Sequence, residues 1–260
     1  MLTVISPAKR LDWEVPRDGA TQPAMQDQAN LLAERARALS HDDLKRLMGL
    51  SDELTKLNTR RFRDMAETSM PENSRPAALA FAGDTYQGLE AATLEDHARA
   101  FAQDRLRILS GLYGVLRPWD AIQPYRLEMG SKLETERGRD LYAFWGDRIA
   151  RALNADADAT GSEILLNCAS QEYMGAVDKG ALTMRIVTPK FLDEKNGTPK
   201  VIAFHAKRAR GAMARFVCEN RLTDPEALRD FDLGEYAYDP SRSTPDAPAF
   251  LRSEAARRVA

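Results

Sequence analysis

Arg107-Ile108-Leu109-Ser110-Gly111-Leu112-Tyr113-Gly114-Val115-Leu116-Arg117-Pro118 is the stretch on which the fold of this chain turns. An amphipathic segment leads into it, two glycines stand three apart inside an apolar run, and an arginine lies near each end. Glycine is wanted where the backbone passes through positive φ or where another backbone comes close. Helix, glycine-punctuated hairpin and second segment together have the grammar of a helix-hairpin-helix, which offers backbone amides to a nucleic-acid phosphate. On that reading Arg107, Gly111, Gly114 and Arg117 face DNA. A Gly-capped helix end followed by a Pro-started turn would carry the same letters.

Downstream, the spacing predicts a helix over residues 206–220. Ala209, Ala212, Met213, Phe216 and Val217 recur at i, i+3, i+4, i+7 and i+8, the stripe a helix buries. Opposite them lie Lys207, Gly211, Ala214 and Cys218, flanked by Arg208, Arg210 and Arg215. A strip of small side chains rimmed by cations lets a phosphate backbone come close. The alternative is a basic solvent face in which Gly211 costs about 1 kcal/mol against Ala. Lys207, Arg208, Arg210 and Arg215 form the second set of expected DNA contacts. Charge is distributed accordingly. Residues 195–221 hold seven cations against Glu219 alone, and 99–139 hold eight against five acids, although the net charge is only −2. Such a chain is no polycation, yet it can carry a local phosphate-binding patch.

Elsewhere the pattern is mixed α/β. Strands are predicted over 2–5, 77–82, 163–168, 183–188 and 200–205, and helices over 24–39, 42–50, 51–65 and 140–153, with a loop over 154–161. Polar clusters follow the strands: Ser6-Pro7-Ala8-Lys9 after the first, residues 83–88 after another, Cys168-Ala169-Ser170-Gln171-Glu172-Tyr173 after a third. Ligands collect at such strand ends. Ser6, Lys9, Asp84, Tyr86, Tyr125, Arg126, Glu128 and Glu172 are therefore expected to line a pocket able to bind a nucleotide or move a proton. For each of them singly, a turn hydrogen bond or a structural salt bridge is the alternative role. Neither a P-loop nor a GxGxxG occurs, no nucleophile stands beside a histidine base, and no catalytic residue can be named.

Composition sets the remaining bounds. The 260 residues, 43% hydrophobic and 29% charged, can bury a large core. No apolar run approaches the roughly 18 residues a membrane span needs. The start lacks the basic lead-in of a signal peptide. Cys168 and Cys218 have no metal-ligand spacing and His41, His97 and His205 are scattered. A cytoplasmic protein without metal, cofactor or membrane partner is expected, with one domain over 1–239 and a poorly anchored extension over 240–260, rich in Pro, Ser and Asp.

Ile5-Ser6-Pro7-Ala8-Lys9, residues 81–89, 107–130, Leu141-Tyr142-Ala143-Phe144-Trp145-Gly146-Asp147, Phe191-Leu192-Asp193-Glu194-Lys195-Asn196-Gly197 and 207–221 resemble the YaaA family, in order and with its spacing, from residue 1 to about Asp239. The resemblance implies an α/β protein of unusual fold, associated with resistance to peroxide stress and with limiting free iron and oxidative damage. DNA binding, to duplex or distorted DNA, through a helix-hairpin-helix in a basic cleft also fits it. An enzyme acting on a nucleotide or damaged base in the strand-end pocket is the alternative. The family brings no agreed catalytic residues, and Thr85, Cys168 and His205 depart from its pattern.

Overall fold

Residues 2–5 are apolar or β-branched at every position, the composition of a strand covered on both faces. Leu2–Ile5 is β1, the middle strand of a five-stranded sheet. The computed structural model describes residues 1–17 and 19–256. On one side of β1 lies β2 (Leu106–Ser110), parallel to it, with β3 (Gly114–Leu116) antiparallel at the edge. On the other side come β4 (Ile164–Cys168) and β5 (Arg185–Val187), both parallel. A second sheet joins β6 (Lys190–Lys195), β7 (Thr198–Lys200), β8 (Ala237–Tyr238) and β9 (Ala249–Arg252) in the order β7-β6-β9-β8. The mixed α/β class read from the sequence is the one observed.

Three helices, α1 (Gln26–Arg37), α2 (His41–Met48) and α3 (Asp52–Asp64), follow the expected periodicity. The Ser51 hydroxyl caps α3 by accepting from the Leu54 amide at 3.4 Å. Further on come α4 (Asp84–Leu89), α5 (Asp96–Arg105) and α6 (Arg148–Thr160). The longest, α7 (Ala203–Glu219), touches β1 and β4 of the first sheet and β6 of the second. Beyond its first turns, this helix, held between two sheets and crossed by α4, buries Ala209, Met213 and Val217 of its apolar stripe and Gly211, Ala214 and Cys218 of its small-residue strip.

The structure corrects several expectations. Residues 107–118 make a β-hairpin, not a helix-hairpin-helix: β2 and β3 pair Leu109 with Val115 and Ser110 with Gly114. The run is buried throughout save Arg117, and apolar side chains at most positions, without a helical period, favour a covered strand over a one-sided helix. Gly114 turns through φ +67°, and a Cβ there would stand 2.7 Å from Trp145 and from Met25. At Gly111 a Cβ would collide with the Leu127 carbonyl. Both glycines are buried and answer to the packing around them. Ala77–Ala80 is a helical turn between two short strands, Arg75–Pro76 and Phe81–Ala82. Gly146, at φ +50°, breaks the helix predicted over 140–153 into Leu141–Trp145 and α6, and α6 runs through the predicted loop to Thr160. Where a strand was expected over 200–205, α7 already begins at Ala203. The C-terminal segment is not loose: β9 pairs with both β6 and β8, and Ala249 and Phe250 are fully buried. Residues 257–260 of the expected extension lie outside the described residues.

Candidate functional site

β1 and β4 run parallel and finish side by side, with Ile5 opposite Cys168. Where parallel neighbours end, their loops separate and leave a crevice. Here Ser6 stitches the two loops, its hydroxyl accepting from the Ser170 amide at 2.8 Å. The Tyr86 hydroxyl, from α4, donates to the Ser6 carbonyl at 3.1 Å. Above this floor opens a cleft of about 490 Å³, walled by Lys9 and Arg10 after β1, Asp84 at the start of α4, Glu128, Glu172 after β4, and Lys207 and Arg210 of α7.

Its charged groups differ in how firmly they are held. Lys9 Nζ meets Glu128 Oε2 at 2.6 Å, and Arg126 Nη2 meets Glu128 Oε1 at 3.3 Å, so Glu128 is clamped between two cations. Glu172 accepts from the Gly130 amide at 2.9 Å. The side chains of Arg10, Asp84, Lys207 and Arg210 make no hydrogen bond or ion pair among the described residues. Burial raises the Tyr86 and Tyr173 phenols well above their ordinary range, so both are neutral donors at physiological pH. Cys168, at the end of β4, has its thiol pushed by burial up to about 12, against the pull of Arg210. It is protonated and unreactive.

Six of the eight residues expected in the pocket line it: Ser6, Lys9, Asp84, Tyr86, Glu128 and Glu172. Tyr125 stands behind the wall, buried, its hydroxyl 2.6 Å from that of Ser110, and Arg126 acts through Glu128. Arg10, Ser170 and Tyr173 are additional lining residues, each adjacent to an expected one or on the same strand-end loop. The residues expected to face DNA divide. Lys207 and Arg210 open on the cleft. Arg208 faces a second cavity on the other side of α7, of about 350 Å³. Arg215 is not available: it donates to the Leu89 and Glu90 carbonyls at 3.2 and 3.0 Å and pairs with Glu219 at 2.7 Å. Arg107 is 1% exposed and pairs with Asp156 at 2.6 Å, while Arg117 reaches the same carboxylate at 3.5 Å, away from the cleft. Gly211 admits the α4 backbone, not a phosphate; a Cβ there would fall on the Thr85 carbonyl. Among the described residues no group of three or more His, Cys, Asp or Glu is placed to share a metal ion, and no helix is long and apolar enough to cross a membrane.

The family model described as peroxide stress protein YaaA matches residues 1–242. A UPF0246 protein of Ruegeria pomeroyi is 60% identical over 252 residues, covering 97% of this chain and 98% of its own length. One from Roseobacter denitrificans is 61% identical over 254 residues, with 97% and 98% covered. A third, from a Jannaschia species, is 58% identical over 260 residues and matches both chains end to end.

Proposed function

From a chain that belongs to the peroxide stress protein YaaA family, we propose a role in peroxide defence exerted through the strand-end cleft, which binds the phosphates of DNA. One observation carries the reading. Arg10, Lys207 and Arg210 bring three cations with no protein partner among the described residues to a single cleft. Charges left unpaired on a concave wall raise the local concentration of an anion, and a guanidinium can hold a phosphate by two parallel hydrogen bonds. The expected DNA contact thus moves from the buried hairpin to this cleft. The link to limiting free iron enters the proposal as an effect exerted at the nucleic acid.

The test is a titration with duplex, single-stranded and branched DNA at several salt concentrations. Lys207→Ala and Arg210→Ala should weaken binding about equally for all sequences, each reducing the salt slope by roughly one unit. Unchanged affinity and slope in the double variant would remove the cleft from the reading. A second reading, acid/base work on a nucleotide, is favoured by the Asp84 carboxylate, which has no partner among the described residues and faces the same space. Loss of an acid or base typically costs 10²–10⁴-fold in rate. Asp84→Asn that abolishes peroxide survival while leaving DNA affinity intact would favour chemistry over plain binding.

A further inference from the structure

The first turns of α7 differ from the rest of that helix. Farther along, the apolar side chains Met213 and Val217 are buried, yet Phe204 is 53% exposed and Val201, just before the helix, 62%. One exposed apolar residue is ordinary. The neighbours of this one are not. Lys207 and Arg208 stand at i+3 and i+4 from Phe204, one turn on and to either side of it. The side chain of neither makes a hydrogen bond or ion pair among the described residues, and nor does that of Lys200. Lys207 opens on the strand-end cleft, while Arg208 and Phe204 line the second cavity together with His205 and Tyr236. Phe204 therefore stands in the wall of the second cavity, one turn from two cations whose side chains have no partner among the described residues. The His205 ring supports it edge-on, with centroids 5.5 Å apart and planes at 69°.

Resting on the cleft reading above, we infer that Phe204 is a stacking platform for an unpaired base of single-stranded nucleic acid, whose flanking phosphates are taken by Lys207 and Arg208. An aromatic face with cations one helical turn away is what a single strand needs. The ring takes any base, because every base has a π face, and the charges follow the backbone. In a duplex the bases are already stacked and cannot use the ring. An apolar protein surface fits less well, since seating it here would strip water from two cations without offering a carboxylate.

The experiment measures binding of a short oligothymidine, the matching duplex and thymidine monophosphate to the full chain. Phe204→Ala is suitable because the ring is exposed and alanine is the best helix former, so the fold is retained. The wild-type protein should prefer the single strand to both other ligands. Phe204→Ala should weaken single-strand binding about tenfold to a hundredfold and leave the salt slope unchanged. Phe204→Trp should restore affinity and add tryptophan emission that the oligothymidine quenches, whereas Phe204→Leu, which keeps the apolar area without the ring, should not. Equal affinity of wild type and Phe204→Ala, or rescue by Phe204→Leu, would overturn the stacking platform while leaving the cleft reading in place. Preference for duplex or for the free nucleotide would overturn the single-strand assignment. Wild type that binds no nucleic acid at any salt concentration would overturn both.

Discussion

Asp120 illustrates how a single residue couples burial to pH. It follows Arg117-Pro118-Trp119 and is 2% exposed. One carboxylate oxygen accepts from the Thr21 hydroxyl at 2.7 Å and the other from the Arg117 amide at 2.8 Å. Those bonds favour the charged form, but burial outweighs them and raises the carboxyl from 3.8 to about 6. The folded chain therefore binds more protons than the unfolded chain between about pH 4 and pH 6. Stability from this group falls as pH rises through that window, and the cost of the buried charge is complete above it. Its size is roughly 2–3 kcal/mol, at about 1.4 kcal/mol per tenfold change in proton affinity. Asp120→Asn has no such titration. Between pH 4 and 7 the stability of the wild type, measured by denaturant unfolding, should decline relative to the variant by that amount. The lost acceptor for the Arg117 amide adds only a constant offset. A difference that stays flat across the window would refute the assignment. Arg107 is the opposite case at the same scale: a cation that the sequence places beside a glycine motif, and that Asp156, far along the chain, neutralises.

At the scale of elements, the crossing of α4 over α7 governs the site. Gly88 and Gly211 face each other's helix backbone. A Cβ on Gly88 would collide with the Arg208 carbonyl, and one on Gly211 with that of Thr85. Close approach here sets Asp84, Thr85 and Tyr86 on one side of the crossing and Gln87 and Glu90 on the other, and so divides the two cavities. In an exposed helix Gly211→Ala would gain about 1 kcal/mol. In this crossing the backbone must move apart, at a cost of typically 1–3 kcal/mol, so the expected net sign is destabilising. The unfolding midpoint decides it, and a variant as stable as wild type would show that the helices can separate freely. The small-residue strip on α7 was legible as a surface for close approach. Its partner was not, because a phosphate backbone and a helix backbone make the same demand for absent side chains.

For the whole molecule, the second sheet depends on a strand from the far end of the chain. β9 fits between β6 and β8 and delivers Arg252 to Asp193, which is fully buried and also accepts from the Tyr236 hydroxyl at 2.9 Å. Arg252→Ala would leave that carboxylate buried without its cation, at a cost of roughly 3–5 kcal/mol. Equilibrium unfolding should show the loss, and an unperturbed midpoint would mean that the sheet holds without the pair. The amino-acid sequence by itself determined the mixed α/β class, the strands β1 and β4, the helices α1 to α3, and six side chains of the cleft. Those features rest on local periodicity, capping residues and the polar letters that follow a strand, all written within a few neighbouring positions. Tertiary structure alone decided that residues 107–118 form a hairpin, because a run covered on both faces has no period to betray its conformation. It alone decided which cations stay free. Arg107, Arg215 and Arg252 find acids or carbonyls while Arg10, Lys207, Arg208 and Arg210 find none among the described residues, and charge pairing is settled by the folded chain's distances rather than by position along it.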